Sequence, residues 1–147
     1  MCLDTQKNLL TPTDPPMKYA ILGARYLLGL ILFVFGLNGF LNFLPAPELP
    51  AAAGAFFGAL AETGYMLPML KFFEMLIGAL LLAGRFVPLA LVMLVPISLN
   101  IVAFHLALAP AGAPGYLVGA LNIFLLFVYR DVYAPLLQAK TPANAQV

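Results

Sequence analysis

Long apolar segments constrain this chain more than any other feature of its sequence. A helix needs about 20 mainly apolar residues to cross a bilayer, because the hydrocarbon core is about 30 Å thick and each residue rises about 1.5 Å. Four segments approach or exceed that length: residues 19–43, 66–84, 86–109 and 115–133. The sequence therefore predicts an all-α integral membrane protein in which four transmembrane helices form one bundle.

The composition agrees with a membrane protein. Only 9% of the 147 residues are charged and 63% are hydrophobic, whereas soluble proteins carry roughly 25% charged residues. One domain is expected at this length, with the helices inside residues 18–137 and polar tails at 1–17 and 138–147. The net charge of +1 offers no basic surface for nucleic acid. The single cysteine, Cys2, excludes an intramolecular disulfide.

A further short helix is predicted between the first two spans. Pro50 and Gly64 enclose the apolar run AAAGAFFGALAET, in the order typical of a helix start and a helix stop. The run is too short to cross a bilayer. We therefore expect it to lie at the outer interface, on the membrane or over the bundle, with Phe56, Phe57 and Leu60 on its apolar face.

The positions of Lys and Arg predict the orientation of the spans. These residues are enriched on the cytoplasmic side of membrane proteins, and a cytoplasmic N-terminus places all of them except Lys71 on or toward that side: Lys7, Lys18, Arg25, Arg85, Arg130 and Lys140. The expected location is the inner (plasma) membrane, with multiple spans. Both termini and the turn at 84–86 are then cytoplasmic, and residues 48–65 lie outside.

Small residues and one proline indicate how the helices pack. Gly29 and Gly36 lie on one side of the first span, and Gly115 and Gly119 form a small-xxx-small pair in the fourth. Such spacing predicts close helix contacts. Pro96 lies in the middle of the third span and is expected to kink it, because it removes a backbone hydrogen bond.

Polar residues inside the spans are the candidate functional groups, because a membrane penalises them unless they meet a partner or a cavity. Helix rise places Glu74, Asn100 and Asn122 at a similar depth, roughly 10 Å below the outer surface. We therefore predict these ligand-binding residues in the outer leaflet: Glu74, Lys71, Asn100, Asn122, Asn38 and His105. His105 and Asn100 lie about 140° apart around the third span and need not line the same pocket. The alternative is that these groups make interhelical hydrogen bonds that only fix the packing.

Two ion pairs are suggested by spacing and depth. Lys71 and Glu74 are three residues apart and share one side of a helix. Burial favours the neutral acid at Glu74 and Lys71 favours the carboxylate, and either form can bind a polar head group. Arg25 and Asp131 share a depth at the inner end, where we predict a structural ion pair. The alternative is that each reaches water separately.

Several chemistries are excluded by the residues that the chain lacks. With one histidine and one cysteine, it cannot ligate haem through two histidines or build a Cys/His zinc site. No Gly-rich phosphate motif and no GxSxG motif occur. No metal is predicted. If the protein serves redox chemistry, a bound quinone or a partner subunit must carry the electrons.

Several of these segments resemble the DoxX family of small bacterial membrane proteins, which includes DoxD-like proteins. The similar runs are ARYLLGLILFVFGLNGFLNFLP, FFGALAETGY, KFFEMLIGALLLAGRFVPLAL and FHLAL, within about residues 19–135. The resemblance implies a four-helix membrane bundle associated with redox systems, including thiosulfate to quinone oxidoreduction and an oxidative-stress complex. Many relatives carry a lysine where this chain has the stretch from Asn38 to Asn42. The positions that match the family are Arg25, Glu74, Gly84, Arg85 and His105.

Three functions compete at this point. In the first, the chain is an accessory or binding subunit whose polar cluster holds the head of a quinone or other lipophile, while apolar walls take the tail. In the second, it is an assembly or chaperone protein that pairs with the helices of a membrane or redox partner. In the third, it is a membrane-embedded acid-base enzyme acting on a lipid through Glu74. Enzymatic activity stays open, and an oligomer is compatible with all three.

Overall fold

The structure, a computed structural model, describes residues 15–45 and 48–134. These residues form the helices α1 (Pro15–Leu41), α2 (Ala51–Glu62), α3 (Met66–Ala83), α4 (Val87–Ala107), α5 (Ala113–Val128) and α6 (Arg130–Tyr133). No strand occurs in this described part of the chain. The prediction of an all-α protein is confirmed.

Helix α1 begins earlier than the sequence suggested. Pro15 and Pro16 occupy its first turn, where a proline is tolerated because the first amide groups of a helix have no intrahelical partner. The predicted polar tail at 1–17 therefore overlaps the helix by three residues. The rest of that tail, and the predicted tail at 138–147, lie outside the described residues.

Three helices are long and apolar enough to cross a membrane, as in a multi-pass membrane protein. They are α1, α3 and α4, with 27, 18 and 21 residues and mean hydropathies of 2.1, 1.8 and 2.3. Helix α5 is also apolar but contains 16 residues, and α2 contains 12. By length and composition, α1, α3 and α4 are therefore candidate spans.

The helices pack in two extensive pairs. Helix α1 lies along α3 and α4 lies along α5, and contacts of α1 with α5 and of α3 with α4 join the pairs. Their shared core consists almost entirely of aliphatic side chains: Leu28, Leu32, Ile77, Leu81, Val87, Ala90, Leu91, Leu94, Val118 and Leu125. The spacing of the buried residues on α4 follows the 3.6-residue helix period.

Glycines bring α1 and α3 into close contact. A Cβ atom added to Gly36 would lie 2.6 Å from the backbone nitrogen of Met75, and one added to Gly78 would lie 2.5 Å from that of Phe33. A Cβ at Gly29 would lie 3.2 Å from the Gly78 carbonyl oxygen. The predicted close contact at Gly29 and Gly36 is confirmed. No side chain fits between the backbones at Gly36 and Gly78.

A tight reversal connects α3 to α4. Gly84 ends α3 in the left-handed conformation with φ +66°, and its amide donates to the carbonyl oxygens of Leu80 and Leu81. Phe86 is also left-handed, with φ 54°. Glycine is favoured at such a helix end because it has no Cβ to clash. The turn places the start of α4 directly beside the end of α3.

Candidate functional site

An ion pair inside α3 is the most unusual polar feature of the described residues. Glu74 lies near the middle of the helix and is only 4% exposed. Its Oε2 accepts a hydrogen bond from Lys71 Nζ at 2.8 Å. The Lys71 side chain is 25% exposed, against 6% for that of Glu74. The expected pairing of Lys71 with Glu74 is confirmed, and the pair opens to its surroundings through the lysine.

Glycines of α1 create the space that this ion pair occupies. The aliphatic stem of Lys71 passes over Gly39, where a Cβ atom would overlap the Lys71 Cγ. One turn earlier on α1, Gly36 packs against the backbone of Lys71 and Met75. Because α1 presents no side chain at these two positions, the turn that carries Lys71 and Glu74 can press against it. The same glycines that bring the helices together therefore position the charged pair.

The opposite charges stabilise the Lys71–Glu74 ion pair, and some of its hydrogen-bonding groups stay available for another molecule. An isolated charge in this position is costly, and an opposite charge with good hydrogen-bond geometry offsets much of that cost. Among the described residues, no group donates a hydrogen bond to the second carboxylate oxygen, Glu74 Oε1. Lys71 Nζ has three hydrogens and uses one of them on Glu74. Both partners therefore retain capacity to bind another polar group.

The two asparagines expected beside Glu74 lie elsewhere. Asn122 on α5 is 1% exposed, and its Nδ2 donates to Ser98 Oγ of α4 at 2.8 Å. Asn100 is exposed, and its Nδ2 donates to the Pro96 carbonyl oxygen at 3.2 Å. Neither asparagine forms a hydrogen bond with Glu74. The hydrogen bonds of the three residues do not join them, because equal depth does not fix the direction of a side chain around its helix. Binding of one ligand by Glu74, Asn100 and Asn122 stays a prediction.

Asn38 has a local structural role. Its Oδ1 accepts a hydrogen bond from the Leu44 amide at 2.7 Å, and its carbonyl oxygen accepts from the Asn42 amide at 2.8 Å. Asn42 adopts the left-handed conformation with φ 50°, which asparagine tolerates better than most residues. Asn38 therefore helps to end α1, and its predicted role in ligand binding stays a prediction.

His105 lies in the last turn of α4, next to the connection to α5. Its Nδ1 lies 2.7 Å from the Ile101 carbonyl oxygen, and since a carbonyl can only accept, Nδ1 must carry the hydrogen. The ring fills a notch left by Gly112 and Gly115, where added Cβ atoms would overlap it. It lies at 5.8 Å from the ring of Tyr116, measured between centroids. No hydrogen bond joins His105 to the Lys71–Glu74 ion pair.

The predicted ion pair between Arg25 and Asp131 does not form. Asp131 lies on the separate short helix α6, is exposed, and places Oδ1 3.7 Å from Nε of Arg130. The Arg25 guanidinium lies 4.8 Å from the centre of the Tyr26 ring and beside Gly84. The chain turns at Tyr129, where α5 has ended, so Asp131 does not continue the face of α5. Arg25 therefore lies at the end of the bundle that carries the turn from α3 to α4.

A second polar position was missed in the sequence. Ser98 is 6% exposed and accepts the hydrogen bond of Asn122. The two residues line a groove of about 180 Å³ between α4 and α5, together with Leu99, Gly119, Ile123 and further apolar residues. The helical period identifies Ser98, because it continues the buried stripe of Ala90, Leu91 and Leu94 on α4.

No metal centre is apparent in residues 15–45 and 48–134, where no three His, Cys, Asp or Glu side chains gather closely enough to hold an ion. Comparison of the chain with models of known protein families, with curated proteins and with solved structures finds no match. The resemblance to the DoxX family therefore stays a prediction, and function is inferred from the chain's own geometry.

Proposed function

We propose that the chain is a DoxX-like membrane protein that acts as an accessory or binding subunit of a redox-linked membrane system. In this proposal the Lys71–Glu74 ion pair binds the polar head of a quinone or another lipophile. The observation that carries the proposal is a buried carboxylate near the middle of an apolar helix of spanning length. An ionisable group in such a position is by default a candidate functional site.

The proposed architecture has four transmembrane helices, α1, α3, α4 and α5. The 16 residues of α5 rise roughly 24 Å, which is somewhat less than the hydrocarbon thickness. Tyr129 and Arg130 follow directly, and such residues anchor helix ends at a membrane interface. Modest mismatch is accommodated by local thinning of the bilayer. Both termini and the turn at 84–86 would be cytoplasmic.

Helix α2 is proposed as an interfacial helix at the outer end of the four-helix bundle. The rings of Phe56 and Phe57 lie 5.7 Å and 5.0 Å from that of Phe104, between centroids. Phe104 belongs to the last turn of α4, so these contacts hold α2 against that end of the helix. This position would cover the outer ends of the spans.

The chemistry of the pair suits a quinone or a hydroxyl-bearing lipophile. Lys71 Nζ can donate to a quinone carbonyl with its remaining hydrogens, and Glu74 Oε1 can accept from a hydroxyl. The surrounding helix surfaces are apolar, with Phe72 and Phe73 next to the pair, and would contact the tail. In this proposal the lipophile or a partner subunit carries the electrons.

A membrane assembly function is the second candidate, and Asn100 is the observation that favours it. This asparagine is exposed within the apolar helix α4, and its one hydrogen bond is to the carbonyl of its own helix at Pro96. Polar side chains that face away from their own bundle promote association with other membrane helices. A stoichiometric subunit that copurifies, and is lost on Asn100→Leu, would favour assembly over lipophile binding.

The lipophile-binding proposal is tested by comparing Glu74→Gln with Glu74→Leu in detergent. Thermal stability and the lipophile content of the purified protein are measured together, the latter by mass spectrometry of extracts. We expect Glu74→Gln to lose stability, because Lys71 is left without its opposite charge, and to lose the lipophile as well, because the amide fills the same space without the charge. Glu62→Gln is the matched control, since Glu62 is exposed on α2. If both Glu74 variants retain the wild-type lipophile and lose only stability, the pair has a packing role.

A further inference from the structure

The groove between α4 and α5 contains a buried acceptor that has no partner. Ser98 Oγ donates to the Val95 carbonyl oxygen at 3.1 Å, so it is an acceptor toward Asn122, whose Nδ2 approaches to 2.8 Å. This arrangement fixes the orientation of the amide and leaves Asn122 Oδ1 buried with no hydrogen bond from any described residue. A buried acceptor without a partner costs about 1–3 kcal/mol. A hydrogen-bond donor supplied from outside the chain would remove that cost.

The size of the groove limits what can supply the donor. Its volume is about 180 Å³, and a cavity of about 150 Å³ in another protein holds one benzene molecule. One six-membered ring with a small substituent therefore fits. Apart from Ser98 and Asn122, the lining is apolar, with Val95, Leu99 and Ile123 among its residues. The walls therefore suit an uncharged ring.

The rim of the groove shows where the alkyl tail of a bound molecule would leave the groove. Leu99 and Ile123 are 67% and 70% exposed, on a surface that faces the hydrocarbon of the bilayer if α4 and α5 both cross it. A molecule that enters from the bilayer can therefore keep an alkyl chain among the lipids while its ring lies between the helices. A water-soluble ligand would gain nothing from this route.

We propose that the α4–α5 groove binds the hydroxyl-bearing ring of a membrane-soluble phenol or quinol, with the ring hydroxyl donating to Asn122 Oδ1. The site is distinct from the Lys71–Glu74 ion pair, so this inference goes beyond the proposed function. The groove should also bind the reduced form, the quinol, in preference to the quinone. A quinol has hydroxyl donors for the free acceptor, whereas a quinone has only carbonyl acceptors and leaves Asn122 Oδ1 without a partner.

The test uses two probes, para-hexylphenol and its methyl ether para-hexylanisole, in which a methyl group replaces the hydrogen of the donor. Binding is measured by titration calorimetry with the protein in phosphatidylcholine nanodiscs, and the signal of empty nanodiscs is subtracted. We expect the wild-type protein to bind the phenol about tenfold more tightly, which corresponds to about 1.4 kcal/mol. In Asn122→Leu this preference should disappear. In the control variant Glu62→Gln, which changes an exposed residue on α2, the preference should persist.

Photo-crosslinking of the wild-type protein provides a readout that no folding defect can disturb. A hexylphenol with a diazirine on its tail should label Leu99 or Ile123 at the rim, and excess hexylphenol should compete more strongly than hexylanisole. Three outcomes would overturn the inference. The wild type could bind the two probes equally, the preference for the phenol could survive in a folded Asn122→Leu variant, or the label could be confined to α1 and α3. Glu74→Gln should leave the preference for the phenol intact, so failure of either proposal is recognised separately.

Discussion

Replacing Gly36 by alanine should separate α1 from α3 at the candidate site. The new Cβ would lie 2.6 Å from the Met75 nitrogen and 2.9 Å from the Lys71 carbonyl oxygen, whereas favourable contacts between such atoms require about 3.5 Å or more. Both obstructing atoms belong to the backbone, so a change of rotamer cannot relieve the overlap. The helices must therefore move apart by roughly 1 Å.

The expected cost follows from two opposing effects. Overpacking of this kind costs about 1–3 kcal/mol, and the better helix propensity of alanine returns about 0.5–1 kcal/mol. The net loss of stability should lie between about 0 and 2.5 kcal/mol, with a central value of about 1 kcal/mol. Gly23→Ala, on the same helix with no atom within 4 Å of the new Cβ, should be neutral or slightly stabilising by the same propensity effect.

The difference in stability between the two variants is measured by unfolding them in mixed micelles titrated with SDS. Circular dichroism follows the loss of helix. The Gly36→Ala protein should unfold at a lower SDS fraction than the wild type, and Gly23→Ala should not. The Gly36→Ala protein should also retain less lipophile than the wild type, because the turn of α3 that is displaced carries Lys71 and Glu74. Equal unfolding of the two alanine variants would refute the account in which the glycine contact positions the ion pair.

Two further outcomes are expected. The topology is tested in a Cys2→Ser background with an impermeant thiol reagent added to intact cells. The reagent should label Gly58→Cys on the outer helix and leave Arg85→Cys in the cytoplasmic turn unlabelled. The opposite pattern would reverse the proposed topology. Gly115→Ala should displace the ring of His105, because the new Cβ would overlap it, and nitrogen NMR should detect a loss of the preferred Nδ1–H tautomer. An unchanged tautomer would contradict the packing described for this ring.

The sequence predicted those features that depend on spacing along one helix. Lys71 and Glu74 pair because residues three apart face the same way, and Gly29 and Gly36 contact α3 because they lie on one side of α1. Helices α2, α3 and α4 begin and end within about two residues of the predicted positions, whereas α1 begins four residues earlier and α5 ends five residues earlier than predicted. These results require only the period and rise of a helix, which every apolar span shares.

The sequence did not predict which polar groups from different helices meet. Depth is fixed by rise, but direction also depends on how each helix is rotated in the bundle. Ser98 and Asn100 differ by about 200° around α4, so one faces Asn122 and the other is exposed. Asp131 was misplaced for a similar reason, because the turn at Tyr129 interrupts the helix that was expected to carry it toward Arg25.

The central claim is that the Lys71–Glu74 ion pair binds a lipophile and does not serve stability alone. Its most direct test is the binding of a short-tailed benzoquinone to the double variant Lys71→Leu/Glu74→Leu in nanodiscs. Replacing both members of a buried ion pair by apolar residues is often neutral or stabilising, so the variant should fold at least as stably as the wild type. We expect saturable binding to the wild type and none above empty nanodiscs to the folded double variant. Equal binding by the two proteins would contradict the claim.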